Sequence, residues 1–113
     1  MNNEYLPPIY ESFRSRFPDV SRVLDALGAE SESAGPLDDR TRRLVKLGIA
    51  VGAVSEGAVR SNTRKALTLG LSEAEIQQVA VLAINTGGFP AAIAAFSWML
   101  EVFAARSVDR TDG

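Results

Sequence analysis

Two runs of this chain are apolar on too many sides to belong to an isolated small domain. The first, Leu44-Val45-Lys46-Leu47-Gly48-Ile49-Ala50-Val51-Gly52-Ala53-Val54, carries one charge, Lys46. The second, Ala91 to Ala105, is interrupted only by Ser97 and Glu101 before Arg106 closes it. A helix that is apolar all round is a buried helix. A chain of 113 residues makes one domain with a modest core, too small to cover both runs. A membrane span is the competing account of the second run. It needs about 20 residues, and this run is shorter and contains Glu101. Apolar surface on that scale belongs at subunit interfaces. A homo-oligomer, helix-swapped or tightly packed, is therefore expected.

The rest of the pattern is also helical, with no Val/Ile/Thr alternation long enough for a strand. Pro7-Pro8 can open a first helix running to about Phe17, because a proline in the first turn removes no needed donor. After Pro18, Asp19 is a candidate cap for a second helix, with Val20, Val23, Leu24 and Leu27 on one stripe. Glu30 to Pro36 reads as a polar linker. Asp38 or Asp39 can cap the first apolar helix, where Gly48 and Gly52 would let a neighbour come close. A break near Ser55-Glu56-Gly57 starts a helix to Leu69 that Gly70 ends in left-handed conformation. Ser72 and Glu75 form a capping box for a helix to about Thr86. Gly87-Gly88-Phe89-Pro90 is a sharp break before the last helix, and the tail from Ser107 is expected to be polar and frayed.

The formal net charge of −2 predicts no general attraction to nucleic acid. Its distribution is uneven. Residues 1–37 hold three basic and six acidic groups (−3), residues 38–70 seven and three (+4), and residues 71–113 two and five (−3). Such a basic middle either complements the acidic flanks, within or between subunits, or forms an anion site. The absence of Cys excludes disulfides, thiol redox chemistry and thiolate metal ligation. The absence of His removes the commonest metal ligand and the usual general base near neutral pH. No metal site and no cofactor are expected. Met1-Asn2-Asn3-Glu4 has no basic stretch leading into an apolar core, so cytoplasmic residence without membrane association is the expectation.

Four segments resemble the carboxymuconolactone decarboxylase family, which includes the alkyl hydroperoxidase D-like proteins. They are Leu37 to Leu47, Asn62-Thr63-Arg64-Lys65-Ala66-Leu67, Gly70 to Ile76, and Gly88-Phe89-Pro90-Ala91-Ala92, in the family's order and spacing. The resemblance implies an all-α fold assembling into trimers or hexamers. It divides the chain into an N-terminal helical extension (1–36), the family domain (37–106) and a tail (107–113). Redox members of the family use a Glu, a Cys-x-x-Cys pair and a His. The resemblance places these on Arg43, on Ser55 and Ala58, and on Asn62. All four positions depart from the pattern, which excludes thiol peroxidase and disulfide reductase activity. The decarboxylase branch needs no cysteine but normally carries the His, and Asn62 cannot shuttle a proton near neutral pH.

The residues left are assigned three ways. Ser55 is a nucleophile served by Lys46 or Glu56, or a helix cap. Glu56 is an acid or base in an apolar pocket, or a first-turn carboxylate complementing the helix dipole or paired with Arg60. Arg43, Lys46 and Arg60, with Ser55, Asn62 and Phe89, line a small anion site, or the cations bridge to acidic flanks. The plainer account of Phe89 puts it in the core at a helix–helix turn; that of Trp98, Phe96, Met99 and Phe103 is packing. Together these readings give a non-redox homo-oligomer with a degenerate family site, binding a small anion. The alternatives are a decarboxylase-like or hydrolase-like enzyme on a small lactone or keto acid, and a structural subunit of a larger assembly.

Overall fold

The computed structural model describes residues 7–112, with side chains described as far as Val108. The reading of Met1 to Glu4 lies outside the described residues, as do Gly113 and the side chains of the last tail residues. The described residues form seven helices and no strand: α1 (Pro8–Arg16), α2 (Pro18–Glu32), α3 (Asp39–Gly52), α4 (Glu56–Thr68), α5 (Glu73–Leu82), α6 (Ile84–Gly87) and α7 (Phe89–Asp112). The fold is all-α. The chain divides into two compact units, residues 1–37 and 38–113.

The first unit is a pair of helices. Proline sits in the first turn of both, so Pro18 opens α2 as well as closing α1, and Asp19 falls inside the first turn instead of capping it. The helix also runs on through Glu30-Ser31-Glu32, because nothing there opposes helix; the true break waits for Gly35-Pro36. Arg14 of α1 donates two hydrogen bonds to the Asp25 carboxylate of α2, at 3.0 and 2.9 Å. The rings of Phe13 and Phe17 lie 5.3 Å apart. Ser21 is the one buried residue in these two helices.

The second unit has the core. Leu47, Ala50 and Val51 of α3, Val59 and Ala66 of α4, Ile76 and Ala80 of α5, and Ala92, Ala95, Met99 and Phe103 of α7 form one cluster. Helix α3 packs mainly on α4, and α7 lies against α4 and α5. The close approach expected at Gly48 and Gly52 does not depend on the missing side chains: a Cβ on Gly52 would meet nothing within 4 Å, and one on Gly48 would meet Val79 at 3.7 Å, an ordinary van der Waals distance.

Local signals set most helix ends. Asp38 caps α3 by accepting from the Thr41 amide at 2.9 Å, while Asp39 pairs with Arg42 in the first turn. Ser72 and Glu75 make the reciprocal capping box that opens α5. Helix α4 ends on Gly70 at φ +98°, with the Gly70 and Leu71 amides bonded to Leu67 and Ala66. Helix α3 closes the same way, Val54 and Ser55 donating to Val51 and Ala50, but the left-handed position is Val54 at φ +52°. A β-branched residue is strained there.

Three expectations at the C-terminal end are corrected. Helix α5 stops at Leu82, and a single turn, α6, follows before Gly88 turns the chain at φ +97°. No helix breaker marks Ala83 in the sequence. Helix α7 does not fray at Ser107 but continues to Asp112. It is therefore 24 residues long, and Phe89–Val108 is long and apolar enough to cross a membrane by length and composition. The length argument against a span does not hold; what characterises this helix is its buried side, Ala91, Ala92, Ala95, Met99, Val102 and Phe103.

Candidate functional site

The packing of α3 on α4 brings together positions that the family resemblance singles out. Arg43 sits one turn into α3 and is half-buried. Its guanidinium donates to the Asn62 side-chain oxygen of α4 at 2.6 Å. The Asn62 amide in turn donates to the Ala58 carbonyl, one turn earlier, at 2.9 Å. That second bond fixes which end of the amide faces Arg43. Three of the four positions expected from the resemblance, Arg43, Ala58 and Asn62, are thus linked in one chain of hydrogen bonds. The arrangement presents a fixed cation, not an acid–base relay.

The fourth position, Ser55, precedes α4 at the N-cap, but its side chain makes no capping bond. Its contribution is through the backbone, donating to Ala50 and accepting from Val59. The expectation of a serine side-chain cap is corrected. The amide of Ser55 is committed to closing α3, so the local geometry follows the strained Val54 turn.

Arg60 turns elsewhere. It donates to Glu56 at 3.0 Å and to Glu101 of α7 at 2.7 Å. The hydrogen bond to Glu101 raises its pKa, partial burial opposes the rise, and Glu56 reinforces it. This is the i, i+4 pairing available to Glu56, extended across to α7. Lys46 is half-buried and three residues from Arg43, on the same side of α3. Phe89 opens α7 and is exposed, which corrects its assignment to the core. Phe96 and Trp98 pack against the buried cluster that holds Met99 and Phe103. Among the described residues no group of three His, Cys, Asp or Glu side chains could hold a metal ion.

Thr63 is the residue that sequence reasoning missed. It follows Asn62 directly, is fully buried, and its hydroxyl has no hydrogen-bond partner. The signal was present: Val59, Thr63 and Ala66 share the inner face of α4. A threonine among apolar neighbours at that spacing is a buried hydroxyl.

The helical body and its α3–α4 pair define an all-α protein with the layout of the alkyl hydroperoxidase D-like proteins. Residues 18–101 match the carboxymuconolactone decarboxylase family, and the chain belongs to that family. The match starts with α2 and so spans more than the second unit. An uncharacterized protein of Methanocaldococcus jannaschii is 30% identical over 100 residues, covering 88% of this chain and 94% of the relative. No solved structure gives a significant match.

Proposed function

We propose that this chain is a non-redox member of its family, a homo-oligomer that takes a small anion beside Arg43. One observation carries the proposal: the two positions that hold the acid and the histidine in redox members are here a guanidinium and an amide, bonded at 2.6 Å. A guanidinium carries five donors in a planar fork suited to carboxylate or phosphate. The bond to Asn62 holds that fork in one orientation, and Lys46 adds a second positive charge on the same side of α3. Arg60, engaged with Glu56 and Glu101, is left out of this version of the site. The catalytic use of Glu56 gains no support, since this carboxylate is exposed and bonded to Arg60.

The homo-oligomer is supported by surface that the second unit leaves open: Val45 and Ile49 on α3, Val81 and Leu82 on α5, and Ile93 and Leu100 on α7. The packed helical body of the second unit supports a soluble protein. A thermal-shift screen against small carboxylates, lactones and phosphorylated metabolites tests the anion. A ligand that binds the folded state raises the melting temperature by mass action, increasingly with its concentration. A dose-dependent shift that disappears in Arg43→Glu is the expected result. A shift that survives Arg43→Glu moves the site elsewhere. A flat screen on a folded oligomer replaces the binder with a structural subunit.

A further inference from the structure

Helices α3, α4 and α5 begin in different ways. Asp38 caps α3, and the Ser72–Glu75 capping box opens α5, each with a side-chain bond to an amide of the first turn. Ser55 supplies no such bond to α4, and the first amides of a helix have no carbonyl of their own helix to reach. Val54, just before, is held in left-handed conformation at φ +52°. That strain on a branched residue is released if the turn opens. Gly57 lies in the first turn and favours helix less than any residue but proline. Glu56 and Gly57 are exposed, Ala58 is partly buried, and the first buried side chain of α4 is Val59. What ties this turn down is Arg60. Its guanidinium donates to Glu56 of the first turn at 3.0 Å and to Glu101 of α7 at 2.7 Å.

We infer that residues 54–58 open as a local unit latched to α7 by Arg60, and that the latch governs the contact between Arg43 and Asn62. The Ala58 carbonyl is the link. It accepts from the Asn62 side-chain amide at 2.9 Å, which fixes the end of that amide that meets Arg43 at 2.6 Å. When the turn opens, this carbonyl leaves and Asn62 is free to turn from Arg43. Local openings of this kind occur in otherwise stable proteins where few apolar side chains hold a segment. Arg60 therefore acts on Arg43 from the opposite side of α4, through the first turn, without touching it. The opening requires neither an anion at Arg43 nor a second copy of the chain.

Hydrogen exchange of the whole chain, followed by NMR at fixed pH, tests the latch. Val59 and Ile76 are matched reporters. Each donates its amide to the N-cap carbonyl four residues back, Ser55 at 2.9 Å and Ser72 at 3.1 Å, and each has a fully buried side chain. Corrected for intrinsic rates, Val59 should exchange at least about tenfold faster than Ile76, because its turn lacks a cap and opening relieves Val54. Arg60→Met keeps the apolar stem and removes both bonds. It should speed Val59 about two- to fivefold, the effect of a partly exposed ion pair, and leave Ala66, two turns on, unchanged. Val54→Gly should slow Val59 by up to about fivefold. The Asn62 side-chain amide gives a readout that fraying alone would not move: in Arg60→Met it should accelerate together with Val59. Equal rates at Val59 and Ile76, or a Val59 rate that Arg60→Met leaves unchanged, overturn the latch. Acceleration at Val59 without Asn62 is plain fraying and overturns the control of Arg43. If Arg60→Met loosens all of α4, Glu101→Gln decides: acceleration confined to Val59 and Asn62 keeps the latch, and none overturns it.

Discussion

The two units of this protein use similar helices for opposite ends. The second unit buries its large side chains: Leu47, Val51, Val59, Ile76 and Met99 have essentially no exposed surface. The first has helices of comparable length and an apolar stripe at least as regular, yet Ser21 is the one residue in them that is buried. Among the described residues, each unit also holds one buried hydroxyl without a partner, Ser21 in the first and Thr63 in the second. Amphipathic spacing, then, states that a helix has a face to bury; it does not state where. Helices α3, α4, α5 and α7 meet within one body. Helix α2 carries the same kind of pattern and shows it outward.

The sharpest way to break this contrast is to delete a large side chain from each unit. Leu47→Ala should lower stability by about 2–5 kcal/mol, as cavities in packed cores do. Leu24→Ala should change the stability of the dilute protein by no more than about 0.5 kcal/mol, the range of ordinary surface changes. Urea unfolding at low and high protein concentration measures both. If Leu24→Ala costs as much as Leu47→Ala at every concentration, the two units do not differ as described.

Thr63→Val should raise stability by about 1–2 kcal/mol, because it removes a buried hydroxyl with no partner and keeps the side-chain shape. A loss instead would show that the hydroxyl has a bound partner in solution. Ser72→Ala removes half of the capping box on α5 and should cost about 1 kcal/mol. Val54→Gly acts in the other direction. Left-handed geometry costs a branched residue about 1–2 kcal/mol, and glycine returns about 0.5–1 of that in chain entropy. A net gain of up to about 1 kcal/mol is expected in the urea midpoint, at unchanged slope.

The smallest effect is the response to acid, and it can be followed separately in the two units. The Arg14 hydrogen bonds hold the Asp25 carboxyl below its ordinary range. The Thr41 amide does the same for Asp38, and the Ser72 amide for Glu75. A carboxylate with a lowered folded pKa stabilises the fold above its unfolded value, about 3.9–4.3. That contribution is lost as pH falls through the lower folded values. Hydrogen exchange between pH 6 and pH 2.5 should therefore show protection declining below about pH 4. Asp25→Asn should remove the acid response of α1 and α2 while leaving that of α3 and α5 unchanged.

Much of the fold was legible because its signals are local. Asp38, Ser72 with Glu75, Gly70 and Gly88 act through hydrogen bonds and backbone angles within a few residues of themselves. Proline in the first turn is equally local, although Pro18 was more plainly a stop than the start it also is. The candidate site was half legible. The positions of Arg43, Ala58 and Asn62 follow from the family resemblance, and the absence of Cys excluded thiol peroxidase and disulfide reductase chemistry. That Arg43 bonds to Asn62, while Arg60 turns away to Glu101, depends on which faces of α3, α4 and α7 meet.

The sequence by itself determined that this protein is all helix, where most of those helices begin and end, and that it has no thiol or imidazole chemistry. Capping, turn geometry and side-chain identity need only near neighbours in the chain. Tertiary structure alone decided the rest. It left Phe89 exposed and Thr63 buried. It placed the α2 stripe and the Val45–Ile49 stripe at the surface. Each of these depends on the packing of segments far apart in the chain, and a burial pattern specifies a buried face without specifying its partner.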